Sequence, residues 1–331
     1  MSTPSKALVV KLSSLGDLFH PLPAVHRLKQ ELNLSVDWIT QPEYADLVAC
    51  FDDVERVRIF PRHRLVRSAG AWLSALRAEQ YDYLFDFQGL FKSGLVSRLA
   101  RARRRVGPSW QREGTRVFYD EVAGTRNKNR HAVDEALDFA RHFDLSPDPV
   151  CFPVTFPGPD RAEPSPRIAY LPCSRWQTKN WPAAHFKRLI DSVHRQIGGT
   201  PFLLGSPEDA AVCADIERAV DAPIENLCGK TDLVALGRVL RGMDLLVTVD
   251  SGPMHMAAAI GTPVVALFGA TDPARTGPYG DAHRVIQHGD LPCQPCRSRS
   301  CLRPERDIAC LRDLDPEQVA ATVLAPFRPT V

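Results

Sequence analysis

No apolar run in this 331-residue chain approaches the roughly 18 residues needed to cross a bilayer; residues 256–260 and 264–268 are typical of its longest. A secretory leader is not expected either. Residues 1–6 lead straight into the strand-like 7–10, with no apolar h-region and no small-residue cleavage site. Strong charge of one sign is also missing: 41 Lys+Arg against 39 Asp+Glu leave +2, which excludes a global field for nucleic acid. With 44% hydrophobic and 24% charged residues, the composition excludes wholesale disorder. Nine cysteines, an odd number spread along the chain, do not form a secreted disulfide framework. A cytoplasmic enzyme is the expectation, and the length favours two domains over one.

What is present is alternation. Residues 7–12, 36–40 and 81–87 read as buried strands, and 22–32 and 90–102 as helices. Seven prolines between 147 and 166 then block both helix and central strand, which marks an extended connector. The alternation resumes with strands at 167–171, 200–204, 245–249 and 264–268, and helices at 183–196, 208–220, 233–240 and 316–324. The fold class is therefore α/β, with two doubly wound, Rossmann-like domains facing across a cleft. Ligands in such sheets bind at the carboxyl ends of strands.

Three polar clusters fall at such ends. Lys11-Leu12-Ser13-Ser14-Leu15-Gly16-Asp17 follows the first strand and sets backbone amides and a carboxylate there, unless Asp17 is only a helix cap. Asp250-Ser251-Gly252-Pro253-Met254-His255 follows the 245–249 strand and opens a helix with Pro253 in its first turn. The free amides and positive dipole end of that helix suit an anion; the plain alternative is an ordinary cap with His255 packed on the sheet. Ser174 to Pro182 follows the 167–171 strand, and its Lys179 either aims an ammonium at the same anion or is a surface charge beside a core Trp181. An anionic ligand held by the second domain and a carboxylate offered by the first suit group transfer from a nucleotide-activated donor.

Several segments together resemble one family. Lys11 to Asp17 with Leu22-Pro23-Ala24, Asp86-Phe87-Gln88-Gly89-Leu90-Phe91-Lys92-Ser93, Ser174 to Pro182, Val249 to Ala259, and the Phe268 to Gly280 stretch are similar, in order, to motifs of the ADP-heptose heptosyltransferases, glycosyltransferase family 9. Ser251, Met256 and Ala270 depart from the usual pattern conservatively. The resemblance implies a GT-B architecture with an acceptor-binding domain at 1–145, a linker at 146–166, a nucleotide-sugar domain at 167–315, and a last helix at 316–331 near the domain interface. It implies an inverting transfer of L-glycero-D-manno-heptose from ADP-heptose to the Kdo-lipid A inner core of lipopolysaccharide, with no divalent metal required. Asp17 would be the general base. Lys179 and Ser174 would bind the diphosphate, with Asp250, Ser251, Gly252 and His255 around phosphates and heptose, and Glu208 and Thr231 at the nucleoside. Ser14, Gly16, Gln88 and Lys92 would face the acceptor, a phosphorylated glycolipid, with peripheral contact to the inner membrane. A protein acceptor, or a silent sugar-nucleotide-binding protein, are the alternatives.

Two features stand apart. Arg98, Arg101, Arg103, Arg104 and Arg105 gather at the expected end of the 90–102 helix, either as a solvated terminus or as a dock for an anionic membrane. Cys293, Cys296, Cys301 and Cys310 put four thiols in 18 residues, opened by C-x-x-C. They can close a structural zinc or iron site, or remain reduced spectators.

Overall fold

The computed structural model describes residues 3–62, 65–158, 166–289 and 291–328. The chain divides into two compact units, 1–155 and 156–331. The first holds six strands: β1 (Ser5–Val10), β2 (Leu34–Thr40), β3 (Arg56–Ile59), β4 (Gln80–Asp86), β5 (Arg101–Pro108) and β6 (Glu121–Ala123). They form one sheet in the order β3-β2-β1-β4-β5-β6, with every pairing parallel. The second unit holds β7 (Arg167–Leu171), β8 (Thr200–Leu203), β9 (Glu225–Asn226), β10 (Leu245–Val249), β11 (Val264–Phe268) and β12 (Arg284–Gln287). Its order, β12-β11-β10-β7-β8-β9, is the same topology repeated. Each sheet therefore has a switch point, between β1 and β4 in the first and between β7 and β10 in the second, where connections leave in opposite directions. Such a point opens a crevice at the carboxyl ends of the strands.

The central strands are buried on both faces, which is why they read as near-continuous apolar runs: β10 is LLVTV and β11 is VVALF, buried throughout. In the first unit Leu8, Val10, Ile39 and Leu84 pack with Val96 and Ala100. In the second, the helix Ala183–Ile197 offers Phe186, Leu189, Ile190 and Val193, an i, i+3, i+4, i+7 stripe, to the sheet. Each of these side chains contributes about 1.5–3 kcal/mol by leaving water. The helix Pro316–Leu324 adds Val319, Ala320 and Val323 to the same core, so the chain's last helix is part of the second unit's interior; residues 329–331 lie outside the described residues.

Two expectations change. The 90–102 helix is shorter, Phe91–Leu99, and the arginine run is strand β5. The cause lies in distant acids: Arg103 pairs with Asp82, Arg104 with Glu121, and Arg105 with Asp120, on the strands or turns at either side. Opposite charges across neighbouring strands stabilise the pairing, so the run is a cross-strand ladder and not a helix terminus. The proline-rich connector, in turn, is not a free spacer where it is described. Val154 bridges Phe51, and Thr155 N–H donates to Cys50 C=O at 2.9 Å. Phe156 is buried in the other unit, against the backbone of Gly237. Residues 159–165 of the connector lie outside the described residues.

Candidate functional site

At the first switch point, β1 ends at Val10 and the chain turns through Lys11 to Asp17, which sits in the short turn Gly16–Leu18. The Asp17 side chain is 44% exposed. Its Oδ2 accepts from the Ser14 amide at 3.1 Å and the Ser14 hydroxyl at 2.7 Å, while His20 Nδ1 lies 3.7 Å from Oδ1. Desolvation by the surrounding protein works against ionisation, but Lys11, His20 and the Ser14 hydrogen bonds outweigh it and hold the carboxyl below its ordinary range. Lys11 is itself buried, donating Nζ to Phe87 C=O at 3.0 Å; burial lowers its pKa while Asp17 and Asp86 oppose that shift.

The loop after β4 is the scaffold of this turn. Gln88 Oε1 accepts from the amides of Leu12 at 3.0 Å and Ser13 at 3.2 Å, which staples one switch-point loop to the other. Asp86, fully buried, accepts from the amides of Gln88 and Gly89 and from the hydroxyl of Tyr119 at 2.7 Å. Gly89 has φ +68°, and a Cβ there would meet Pro108 at 2.8 Å, so only glycine suits the turn. Lys92 is exposed on the first turn of the Phe91–Leu99 helix. Ser14 and Gly16 both lie in the Asp17 turn, Ser14 as its hydrogen-bond donor and Gly16 buried. The staple by Gln88 was not visible beforehand, because its partners lie 75 and 76 residues away.

The second switch point holds the other cluster. Lys179 ends the turn Gln177–Lys179 after β7, and Asp250 immediately follows β10. Lys179 Nζ lies 2.7 Å from Asp250 Oδ2, and that oxygen also accepts from the Thr271 hydroxyl at 2.5 Å. Lys179 also lies 4.6 Å from the centre of the Trp176 ring, a cation–π contact. Trp181 is core, packed on Phe186, so the ammonium is not a stray surface charge beside it. Ser174 stands in the same loop, its amide donating to Asn180 Oδ1 at 2.7 Å. Ser251 precedes the helix Gly252–Ala259, its hydroxyl 3.1 Å from that of Thr248, and half-buried His255 lies in the first turn. Glu208 follows β8 and Thr231 follows β9. Asp250, Lys179, Glu208 and Thr231 thus follow β10, β7, β8 and β9, strands that are consecutive neighbours in the sheet.

The cysteine-rich segment lies against this site, through groups other than its thiols. Ser298 C=O accepts from the Thr178 hydroxyl at 2.7 Å, Arg297 N–H donates to Ala270 C=O at 2.6 Å, and Arg299 stacks on Trp176 at 5.0 Å. Neither Arg297 nor Arg299 was singled out in advance, since the thiols dominate that stretch of sequence. The four thiols were the expected zinc or iron site. Among the described residues no group of three or more His, Cys, Asp or Glu side chains is arranged to hold a metal ion. Cys293, Cys296, Cys301 and Cys310 are all free, with Cys310 pushed up to about 11, by burial first and then by the other three sulfurs.

Comparison with known proteins gives the family. The sequence profile of glycosyltransferase family 9 (heptosyltransferase) matches residues 70–306. Lipopolysaccharide heptosyltransferase 1 of Pseudomonas aeruginosa is 30% identical over 98% of this chain and 95% of its own length. The Escherichia coli K12 protein of the same name is 29% identical over 85% of this chain and 93% of its own. Among solved structures, E. coli heptosyltransferase WaaC with ADP superposes with a TM-score of 0.79 at 26% identity, covering 96% of this chain and 98% of that one.

Proposed function

This chain belongs to glycosyltransferase family 9, and from that membership we propose that it transfers a heptosyl group from ADP-heptose to the lipopolysaccharide core, at the Kdo-lipid A acceptor, with inversion at the anomeric carbon. What carries the proposal is the row of side chains along the carboxyl edge of the second sheet, with the half-buried Lys179 ammonium beside the opening of the Gly252–Ala259 helix. That combination recognises a nucleoside diphosphate. The two units are read as the halves of a GT-B enzyme facing across a cleft, and the work as peripheral, at the cytoplasmic face of the inner membrane. No helix among the described residues is long and apolar enough to cross one.

In the transfer, the acceptor hydroxyl gives its proton to Asp17 as its oxygen bonds to the anomeric carbon. The bond from that carbon to the diphosphate oxygen breaks, and ADP departs with the electron pair. Lys179 and the amides at Ser251 and Gly252 neutralise the charge that grows on the diphosphate. Ser174 and His255 border phosphate and heptose, and Glu208 and Thr231 border the nucleoside. Asp250 is an anion and buried, so it acts by positioning Lys179 and not by touching phosphate. Ser14, Gly16, Gln88 and Lys92 belong to the acceptor side, Gln88 by holding the Asp17 loop. The chemistry calls on no divalent metal.

The test is incubation of the purified chain with ADP-heptose and Kdo-lipid A, following ADP release and the acceptor's mass. A gain of one heptose per acceptor is expected. Transfer to protein alone, or ADP release with neither acceptor, would overturn the proposal.

A further inference from the structure

The helix Phe91–Leu99 is partly inverted. Two of its inward positions are serines: Ser97 Oγ donates to the buried Asp86 Oδ2 at 3.3 Å, and Ser93 Oγ to Leu90 C=O at 2.9 Å. Two of its outward positions are large and apolar, with Phe91 52% and Leu95 40% exposed, whereas a surface helix ordinarily turns such side chains to the core. Beside them the turn Thr115–Phe118 presents Val117, 80% exposed. Phe118 holds that turn in place. Its ring meets that of Phe91 edge-on at 5.5 Å and covers Gly94, where a Cβ would come within 2.5 Å of it. Among the described residues the first unit exposes four large apolar side chains, and three of them lie on this one face; Ile59 is the fourth.

Cations surround that face. Phe91, Leu95 and Arg98 stand at i, i+4 and i+7, and Lys92 lies one turn before Leu95. Arg116 adjoins Val117, its Nη1 donating to Tyr119 C=O at 2.7 Å, and the Arg112 amide donates to Gly89 C=O at 2.9 Å. Lys92, Arg98, Arg112 and Arg116 are exposed and form no ion pair among the described residues. The nearby acids are otherwise engaged: Glu113 Oε2 accepts from the Phe91 amide at 2.8 Å, Asp120 pairs with Arg105, and Glu121 with Arg104. The helix Leu65–Arg77, which packs on the Phe91–Leu99 helix, contains no acid at all. Even with Glu113 counted in full, the face stays positive. Exposed apolar side chains among unpaired cations suit an anionic bilayer, the former entering the headgroup–acyl boundary and the latter meeting phosphate headgroups. A second copy of the chain does not suit it, because a self-complementary contact sets the same cations against each other.

We infer that this face seats the first unit on an anionic lipid surface, with Phe91, Leu95 and Val117 entering it and Arg98 and Arg116 at its rim. The choice of a bilayer over an acidic protein rests on the lipid-borne acceptor proposed above; the pairing of apolar and cationic side chains does not. The seat begins three residues after Gln88, which staples the Asp17 turn, so it brings the acceptor loops of this unit to the surface that carries the acceptor.

The experiment uses the full chain as wild type, Arg98→Glu and Val117→Ser, with thermal unfolding to establish that both variants fold. Binding is read by co-sedimentation with vesicles of phosphatidylcholine, alone and mixed with phosphatidylglycerol, in the absence of donor and acceptor. The wild type is expected on the mixed vesicles and not on the neutral ones, and added salt releases it. Arg98→Glu changes two charges, each worth about fivefold at such a surface, and lowers the partition about 25-fold. Val117→Ser withdraws about two buried carbons and lowers it about tenfold. Turnover of detergent-dispersed Kdo-lipid A is unchanged in both variants, while turnover of the same acceptor embedded in mixed vesicles falls with the binding. A wild type that leaves the mixed vesicles unbound, or that binds polyglutamate in their place, overturns the inference and leaves the proposed function standing. Folded variants that bind the vesicles undiminished overturn it as well. If the wild type transfers no heptose, the proposed function falls, and vesicle binding that depends on Arg98 and Val117 keeps the docking face.

Discussion

Lys179 Nζ and Asp250 Oδ2 meet at 2.7 Å from loops that follow two hydrogen-bonded strands, β7 and β10, and both side chains are largely buried. The pair is a device for holding one ammonium at the sheet's switch point. Asp250 is further anchored by Thr271, so the carboxylate cannot swing away with the lysine. Removing one partner strands the other charge out of water.

Lys179→Ala is therefore expected to lower stability by about 2–3 kcal/mol, somewhat under the cost of breaking a fully buried pair because Lys179 is partly exposed. It should also weaken ADP binding. The double variant Lys179→Met with Asp250→Asn should recover most of the stability and none of the ADP affinity. Urea unfolding and calorimetric ADP titration check both halves. Wild-type ADP affinity in either variant would remove Lys179 from the diphosphate site.

Asp17→Asn keeps the size of the side chain and removes its capacity to take a proton, so turnover should fall by about 10²–10⁴ while ADP-heptose still binds. Because its neighbours hold the carboxyl below its ordinary range, Asp17 stays ionised throughout the physiological range and should add no acid limb to the rate profile above pH ~4. An acid limb near pH 6 that vanishes in the asparagine variant would contradict the environment described for Asp17. Near-normal turnover would remove it from the mechanism.

The two switch-point loops were legible because each follows a strand whose apolar run is unmistakable, and a polar cluster after such a run has few structural uses. What could not be read was pairing across distance. Arg103, Arg104 and Arg105 look like a helix end until Asp82, Asp120 and Glu121 come beside them. Gln88 could not be read as a staple, because the backbone amides its oxygen accepts from belong to residues 12 and 13. The thiols of 293–310 suggested a metal by their spacing, and what the spacing could not show is that the segment also meets the Lys179 loop, through Ser298 and Arg299.

Gln88 supplies a third prediction. Gln88→Met keeps the length of the side chain and leaves the amides of Leu12 and Ser13 without their acceptor, a loss of about 1–3 kcal/mol of loop order. As a positioning residue it should lower kcat about tenfold or more and leave ADP affinity unchanged, since the donor residues belong to the other unit. Parallel rate and ADP-binding measurements decide it. An unaltered kcat would mean that the Asp17 turn holds its shape without the staple.

Glu121 gives the last, through pH. Its carboxylate accepts from Arg104 Nε and Nη2, both at 2.8 Å, and His142 Nε2 lies at 2.7 Å. The Arg104 hydrogen bonds are the largest influence, burial opposes them, and His142 adds to them, which brings the group down from 4.5 to about 2. A carboxyl depressed in the folded state binds its proton more readily when unfolded. Its stabilisation is therefore complete above pH ~4.5 and is lost as the pH falls toward 2. With the side chain 31% exposed and Arg104 more so, solvent screening reduces the contribution to about 1 kcal/mol. Glu121→Gln should thus be about 1 kcal/mol less stable than the wild type at pH 7, and the two should converge near pH 2. Urea unfolding of both proteins at pH 7, 4 and 2.5 measures the difference directly. A deficit that persists undiminished at pH 2.5 would show that the variant harms packing around β6 and not the charge on residue 121.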